Sequence, residues 1–356
     1  MKRFSHSAMQ GRAAARRGRP AWAWAWAWAW AVAWSLLALL AGCAGPVLTP
    51  VDADLAPPLL ADEAFAPATE PVNADGLFAL SPAMQAQLAE LQRSRRTRQA
   101  PAQALLEALH DRRQLQLGYD DDRTRTAAEA FADRRGNCLS LAVMTAAFAK
   151  ALGLSVDYRF ARFDAEALER NGTLLQHADH VQLALGAGLR NDWRSTAPPL
   201  LIDFAPPDQA VRLVTHSIDE PLVEAMYLNN RAVETLAAGR VHAAYWWARA
   251  AVLRQPGWPA ARNTLAVVYL RAGRPDLAER TLAELLRHAP QMGAALSNQA
   301  QALDALGRRA DAMGLRARLA TDDRDRQRYE AKAAWLRAHA AEGPTGLPGP
   351  PATPRL

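Results

Sequence analysis

The chain has 356 residues, half of them hydrophobic, and a formal net charge of +6. The whole excess sits in the first 42 residues, which hold six of the 42 Lys and Arg and no acid; the other 36 basic residues face 36 acidic ones. The body of the chain therefore gives no support to a globally basic nucleic-acid binder. Its apolar content argues against wholesale disorder, and the chain beyond the leader is long enough for two domains at roughly 150 residues each.

Residues 1–20 are polar and basic, and residues 21–41 are apolar apart from Ser35, opening on an Ala-Trp alternation from Ala21 to Trp30. Leu40-Ala41-Gly42-Cys43 comes next. A basic start, an apolar stretch and small residues before a cut describe a secretory signal over 1–42. The alternative is an uncleaved membrane-spanning helix, for which the run is long enough. Leu-Ala-Gly-Cys resembles a bacterial lipobox. The resemblance implies acyl chains on Cys43, anchoring the protein at about 0.8 kcal/mol per buried methylene. With Ala44 next, the sequence resembles the outer-membrane class of lipoproteins, facing the periplasm. If Cys43 carries lipid, Cys138 is the one remaining thiol in an oxidising compartment, either inert or present for its chemistry.

Residues 43–76 are rich in Pro and Ala and read as an extended tether. Ser81-Pro82 predicts a helix start, a second helix begins near Pro101, and Thr126 caps a third over 127–132. Arg134-Arg135-Gly136-Asn137 then forms a turn with Asn137 as cap. Cys138 to Leu152 is apolar on nearly every side, the mark of a buried helix, and Gly153 ends it. Strands come next where Val156, Tyr158 and Phe160 alternate, where Val181, Leu183 and Leu185 alternate, and over Leu200 to Phe204. Residues 77–220 thus read as α+β.

From 221 the chain repeats. Gly239, Gly273 and Gly307 keep a 34-residue step, as do Ala232, Ala266 and Ala300, then Ala244, Ala278 and Ala312, and Pro256 with Pro290. Small residues let paired helices approach, Gly turns the chain and Pro closes each unit. This period is similar to that of tetratricopeptide repeats. Three repeats over 224–324 and a capping helix place this all-α solenoid at 221–340, with a disordered tail over 341–356. The resemblance implies protein or peptide partners. Trp246-Trp247 read as packing within the repeats.

Cys138 opens its helix, where partial positive charge and free N–H groups favour a thiolate and a developing oxyanion, with Arg134 and Arg135 nearby. A cysteine nucleophile needs a base. His110, His177, His180 and His216 are available. His180 opens a strand on the face opposite Val181, Leu183 and Leu185; His177, in the preceding loop, is the alternate. Asp203 stands after an apolar run where a carboxylate is out of place, and suits an acid that orients an imidazole. Asp120-Asp121-Asp122 reads as a solvated turn, and no His/Cys spacing points to zinc or another metal.

The segments RRGNCLSLAVMTAAFAKALGLSVDYRF, HADHVQLAL and LLIDFAP, in that order, resemble the transglutaminase-like domain of the papain-like cysteine fold. The resemblance covers roughly 120–210 and departs from the family at Val181-Gln182, where an aromatic is usual. It implies Cys138 as nucleophile, His180 as general base and acid, and Asp203 as orienting carboxylate, in acyl transfer through a thioester without a cofactor. The expectation is an α+β transglutaminase-like domain over 77–220 leading into a tetratricopeptide solenoid, in an envelope lipoprotein that binds no nucleic acid. The alternative is a non-catalytic scaffold whose enzyme domain is degenerate.

Overall fold

The computed structural model describes residues 55–94, 101–110, 117–120, 122–162, 168–171, 174–177, 180–186, 199–204 and 214–321. The leader, the lipobox with Cys43 and the tail over 341–356 lie outside them. No helix among the described residues is long and apolar enough to cross a membrane, and the apolar run 21–41 is not among them. The fold is mixed α+β, mostly helical with small sheets.

The first half carries helices α1 (Pro82–Ser94), α2 (Pro101–His110), α3 (Ala127–Asp133) and α4 (Cys138–Ala151). Each start has a local cause. Ser81 Oγ accepts from the Met84 amide ahead of α1 at 3.2 Å. Thr126 and Glu129 close a capping box on α3, each side chain taking the other residue's amide. Asn137 caps α4 through the Ser140 amide at 2.9 Å. The short strands β1 (Gly118–Tyr119) and β2 (Arg135–Gly136) pair in parallel just before that cap.

Strands β3 (Ser155–Arg162), β4 (Leu168–Asn171), β5 (Leu174–His177), β6 (His180–Gly186), β7 (Leu200–Ile202) and β8 (Val214–Ile218) come after α4. Four of them form an antiparallel sheet in the order β7-β6-β3-β8, and β4 with β5 makes a separate hairpin whose second strand lies against the later helices. Helix α4 packs on β6 and β3 and is buried from Leu139 to Ala149. At about 1.5–3 kcal/mol for each large apolar side chain taken from water, this helix is a principal source of stability for the sheet half.

The second half is built from α5 (Glu220–Ala237), α6 (Val241–Arg254), α7 (Pro259–Arg271), α8 (Pro275–His288), α9 (Gly293–Ala305) and a helix α10 over 309–321. Successive helices from α5 to α9 pack on one another. Gly239, Gly273 and Gly307 each take a left-handed φ, between +72° and +80°, just past a helix end. After each, the next amide returns to a carbonyl of the last turn, as Arg274 does to Tyr269 at 2.9 Å. The six alanines of the 34-residue step are buried. The periodic residues thus make the turns and the close helix contacts.

The Pro- and Ala-rich stretch departs from its expected course. From residue 55 it does not stand clear as a tether: Ala61 and Phe65 are buried, and it runs as a strap along α6, α7 and α8. Prolines favour its extended backbone. Its position is set by side chains far along the chain.

Candidate functional site

The site grows out of the α3–α4 connection. Arg134 closes α3 in the left-handed conformation, β2 comes next, and Asn137 then starts α4. A Cβ on Gly136 would stand 2.7 Å from Ser140 Cβ, so only glycine admits this approach. Ser140 Oγ donates to Asn137 Oδ1 at 2.7 Å and accepts from the Arg125 amide at 2.8 Å. Asn137 Nδ2 donates to Thr124 Oγ1 at 2.8 Å. The Thr124 amide donates to Glu234 on α5 at 2.6 Å, tying the start of α4 to the helical half.

Cys138 is the first residue of this pinned helix, a free and partly exposed thiol. Asn137 takes the amides of Ser140 through its side chain and of Leu141 through its carbonyl. The Cys138 and Leu139 amides lie in the part of the first turn that no helical carbonyl reaches.

His180 opens β6 and is buried, at 4 % exposure. Its Nε2 lies 2.6 Å from Asp203 Oδ1, and Cys138 is near enough to the ring to help raise its affinity for a proton. With Nε2 committed to the carboxylate, Nδ1 is the ring nitrogen left for sulfur. The sheet register explains the arrangement. Leu183 stands opposite Ile202, so Gln182 falls opposite Asp203, one residue past the end of β7. By the strand's period of two, His180 shares the face of Gln182 and lies diagonal to Asp203. Burial opposes a charge on His180, but Asp203 and Cys138 together outweigh it, raising its pKa to about 9. The shift favours the imidazolium.

The structure thus brings Cys138, His180 and Asp203 together. His177 lies in β5, paired opposite Leu168, and not in a loop. His216 lies in β8, opposite Phe160 and two strands from β6. His110 ends α2. Arg135 is mostly exposed and points to Asp120 at 3.5 Å. Asp120 is no solvated turn residue: it binds the buried Arg125 guanidinium at 2.8 Å, and Asp133 binds the same group at 2.8 Å. No cluster of three or more His, Cys, Asp or Glu suited to a metal occurs among the described residues.

Gln182 joins the site without having stood out as a site residue in the sequence. Its Nε2 donates to Asp203 Oδ2 at 2.5 Å, and it is buried. Its Oε1 has no hydrogen-bond partner, a cost of about 1–3 kcal/mol for a buried polar atom. The donor end must face the carboxylate, since an oxygen turned toward it would be repelled. A signal does exist: Gln182 is two residues from His180 on a strand, hence on the same face.

No known protein family, no curated protein and no solved structure matches this chain.

Proposed function

We propose that this is a bacterial envelope lipoprotein, anchored through Cys43 and facing the periplasm from the outer membrane. Its first half is read as a transglutaminase-like, papain-like acyl-transfer domain, and its second half as a tetratricopeptide solenoid that binds protein or peptide segments. The observation that carries the catalytic part is the imidazole of His180, bonded to Asp203 and near enough to Cys138 for that side chain to raise its pKa.

The chemistry is set by the charges. The Cys138 thiolate attacks an amide carbonyl, and the amides of Cys138 and Leu139 are placed to meet the oxyanion that develops. The His180 imidazolium gives its proton to the departing amine, leaving a thioester on Cys138. His180, now neutral, takes a proton from water or from a second amine, which attacks the thioester and expels the Cys138 thiolate, restoring the starting ion pair. Asp203 holds the ring in the tautomer this exchange needs. Hydrolysis and transamidation differ only in the second acceptor.

The test is mass-resolved labelling of Cys138 by a chloroacetamide across pH 5–8, compared with His180→Ala. The wild type is expected to react about a hundredfold faster at pH 6, where an unassisted thiol is nearly all protonated. Equal slow rates would remove the ion pair and the mechanism with it. The scaffold reading draws on the clear repeat period and on Val181, which stands directly after His180 where the family has an aromatic. Full rescue of a deletion strain by Cys138→Ser would favour that reading.

Gln182 gives a sharper pH signature. Gln182→Leu is expected to slow labelling about tenfold at every pH, the usual scale for losing an orienting partner. Gln182→Glu is expected to match the wild type at low pH, where a protonated carboxyl still donates to Asp203. It should fall to the Leu rate as the new carboxyl ionises. A pH-independent ratio for the Glu variant would show that only shape matters there.

A further inference from the structure

We infer that the face formed by α6, α7 and α8 is a peptide-recognition site for an extended segment bearing an acid three residues before an aromatic, and that residues 55–70 of this chain are its resident occupant. The strap holds a single 3-10 turn, Asp62–Ala64, and is otherwise irregular. It is held as a bound peptide is held, by side chains reaching its main chain. Tyr269 Oη donates to the Leu59 carbonyl at 2.7 Å, the Ala61 amide donates to Tyr245 Oη at 2.9 Å, and Trp246 Nε1 donates to the Ala66 carbonyl at 2.7 Å.

Two strap side chains supply the specificity. Asp62 accepts from Tyr245 Oη at 2.5 Å and from Arg249 Nε at 2.8 Å. Phe65 is buried and stacks on the Tyr245 ring, centroids 3.9 Å apart and planes 2° from parallel. The hydrogen bonds with Tyr245 and Arg249 hold the Asp62 carboxyl below its usual range, although burial works against them.

The 34-residue step supplies an independent argument. One step on from Tyr245, Trp246 and Arg249 stand Glu279, Arg280 and Ala283. Helix packing alone does not call for the aromatic face, because the next unit packs without one. Tyr245, Trp246 and Arg249 answer to the strap. A partner protein presenting an Asp-x-x-Phe segment in extended backbone meets the same groups, and competes with residues 55–70 for them.

The site is tested on the full chain with a fluorescent synthetic peptide of residues 55–70. The tethered strap acts at an effective concentration in the millimolar range, so the wild type is expected to exclude the peptide. Asp62→Ala with Phe65→Ala weakens the strap in place. That double variant is expected to bind the peptide at least tenfold more tightly than the wild type does. Adding Arg249→Ala should reverse the gain, and a peptide with both anchors changed to Ala should bind none of them. Helical circular dichroism and the thermal midpoint are measured alongside. A double variant that stays helical and ignores the peptide overturns the inference. So does one that loses its helices, because the strap is then part of the core and not a ligand.

Discussion

Asp203→Asn is expected to move the titration midpoint of His180 down from about 9 toward its ordinary value, read from the ring resonances by NMR. Burial of the ring disfavours its charged form, and the carboxylate is a main group that reverses this. An asparagine keeps a hydrogen-bond acceptor but removes the charge, so desolvation is opposed by less and the midpoint falls, with the Cys138 contribution remaining. The folded pKa lies above the unfolded one, which fixes the sign for stability. The pair stabilises the fold fully below about 6.5, and the contribution fades as pH rises through about 9. Its size is on the order of 3 kcal/mol at roughly 1.4 kcal/mol per unit. The stability difference between wild type and Asp203→Asn should therefore be larger at pH 6 than at pH 10. The same substitution should slow Cys138 labelling at pH 6 by about a hundredfold or more, the scale seen when a triad loses its orienting acid. A wild-type midpoint near 6.5 would mean that the three side chains do not act as a unit.

What the sequence discloses of this site is what local rules carry. Asn137 as cap, Cys138 at a helix start and the apolar α4 come from residues close together in the chain. His180 and Asp203 are legible because a strand alternates faces and because a carboxylate after three apolar residues stands out. Gln182 is visible only as the residue two on from His180, on the same face of the strand. Its role needs the pairing register, which places it opposite Asp203. Asp120 is obscured in the same way, since its partner Arg125 is recognisable only once α3 and β1 are in place.

The strap is illegible for a different reason. Its prolines and alanines are compatible with a free tether and with a bound extended segment alike. What decides between them is Tyr245, Trp246, Arg249 and Tyr269, some 180 to 210 residues away. Packing within the repeats accounts for only part of Trp246-Trp247: Trp247 is buried edge-on against Tyr227 of α5, but both indole N–H groups reach the strap, at Ala66 and Glu70. The period itself holds the clue, because Arg280 and Thr281 occupy the corresponding places one step on.

Gly136→Ala and Gly153→Ala should separate the start of α4 from its end. At Gly136 the added Cβ would lie 2.7 Å from Ser140 Cβ and 3.4 Å from its Oγ. Ser140 cannot retreat without breaking its bonds to Asn137 and to the Arg125 amide. The strain is expected to cost about 1–3 kcal/mol, as overpacking in a filled interior does. It falls on the groups that aim Cys138 at His180, so labelling at pH 6 should fall at least tenfold, with urea unfolding giving the stability change. At Gly153 nothing lies within 4 Å, but φ is +74°. Alanine there bears the left-handed penalty of about 1–2 kcal/mol and touches nothing near the sulfur. Comparable losses of stability with slowed labelling in Gly136→Ala alone would trace the reactivity of Cys138 to the built geometry of the helix start. If both variants label like the wild type, the thiol owes nothing to the way α4 begins.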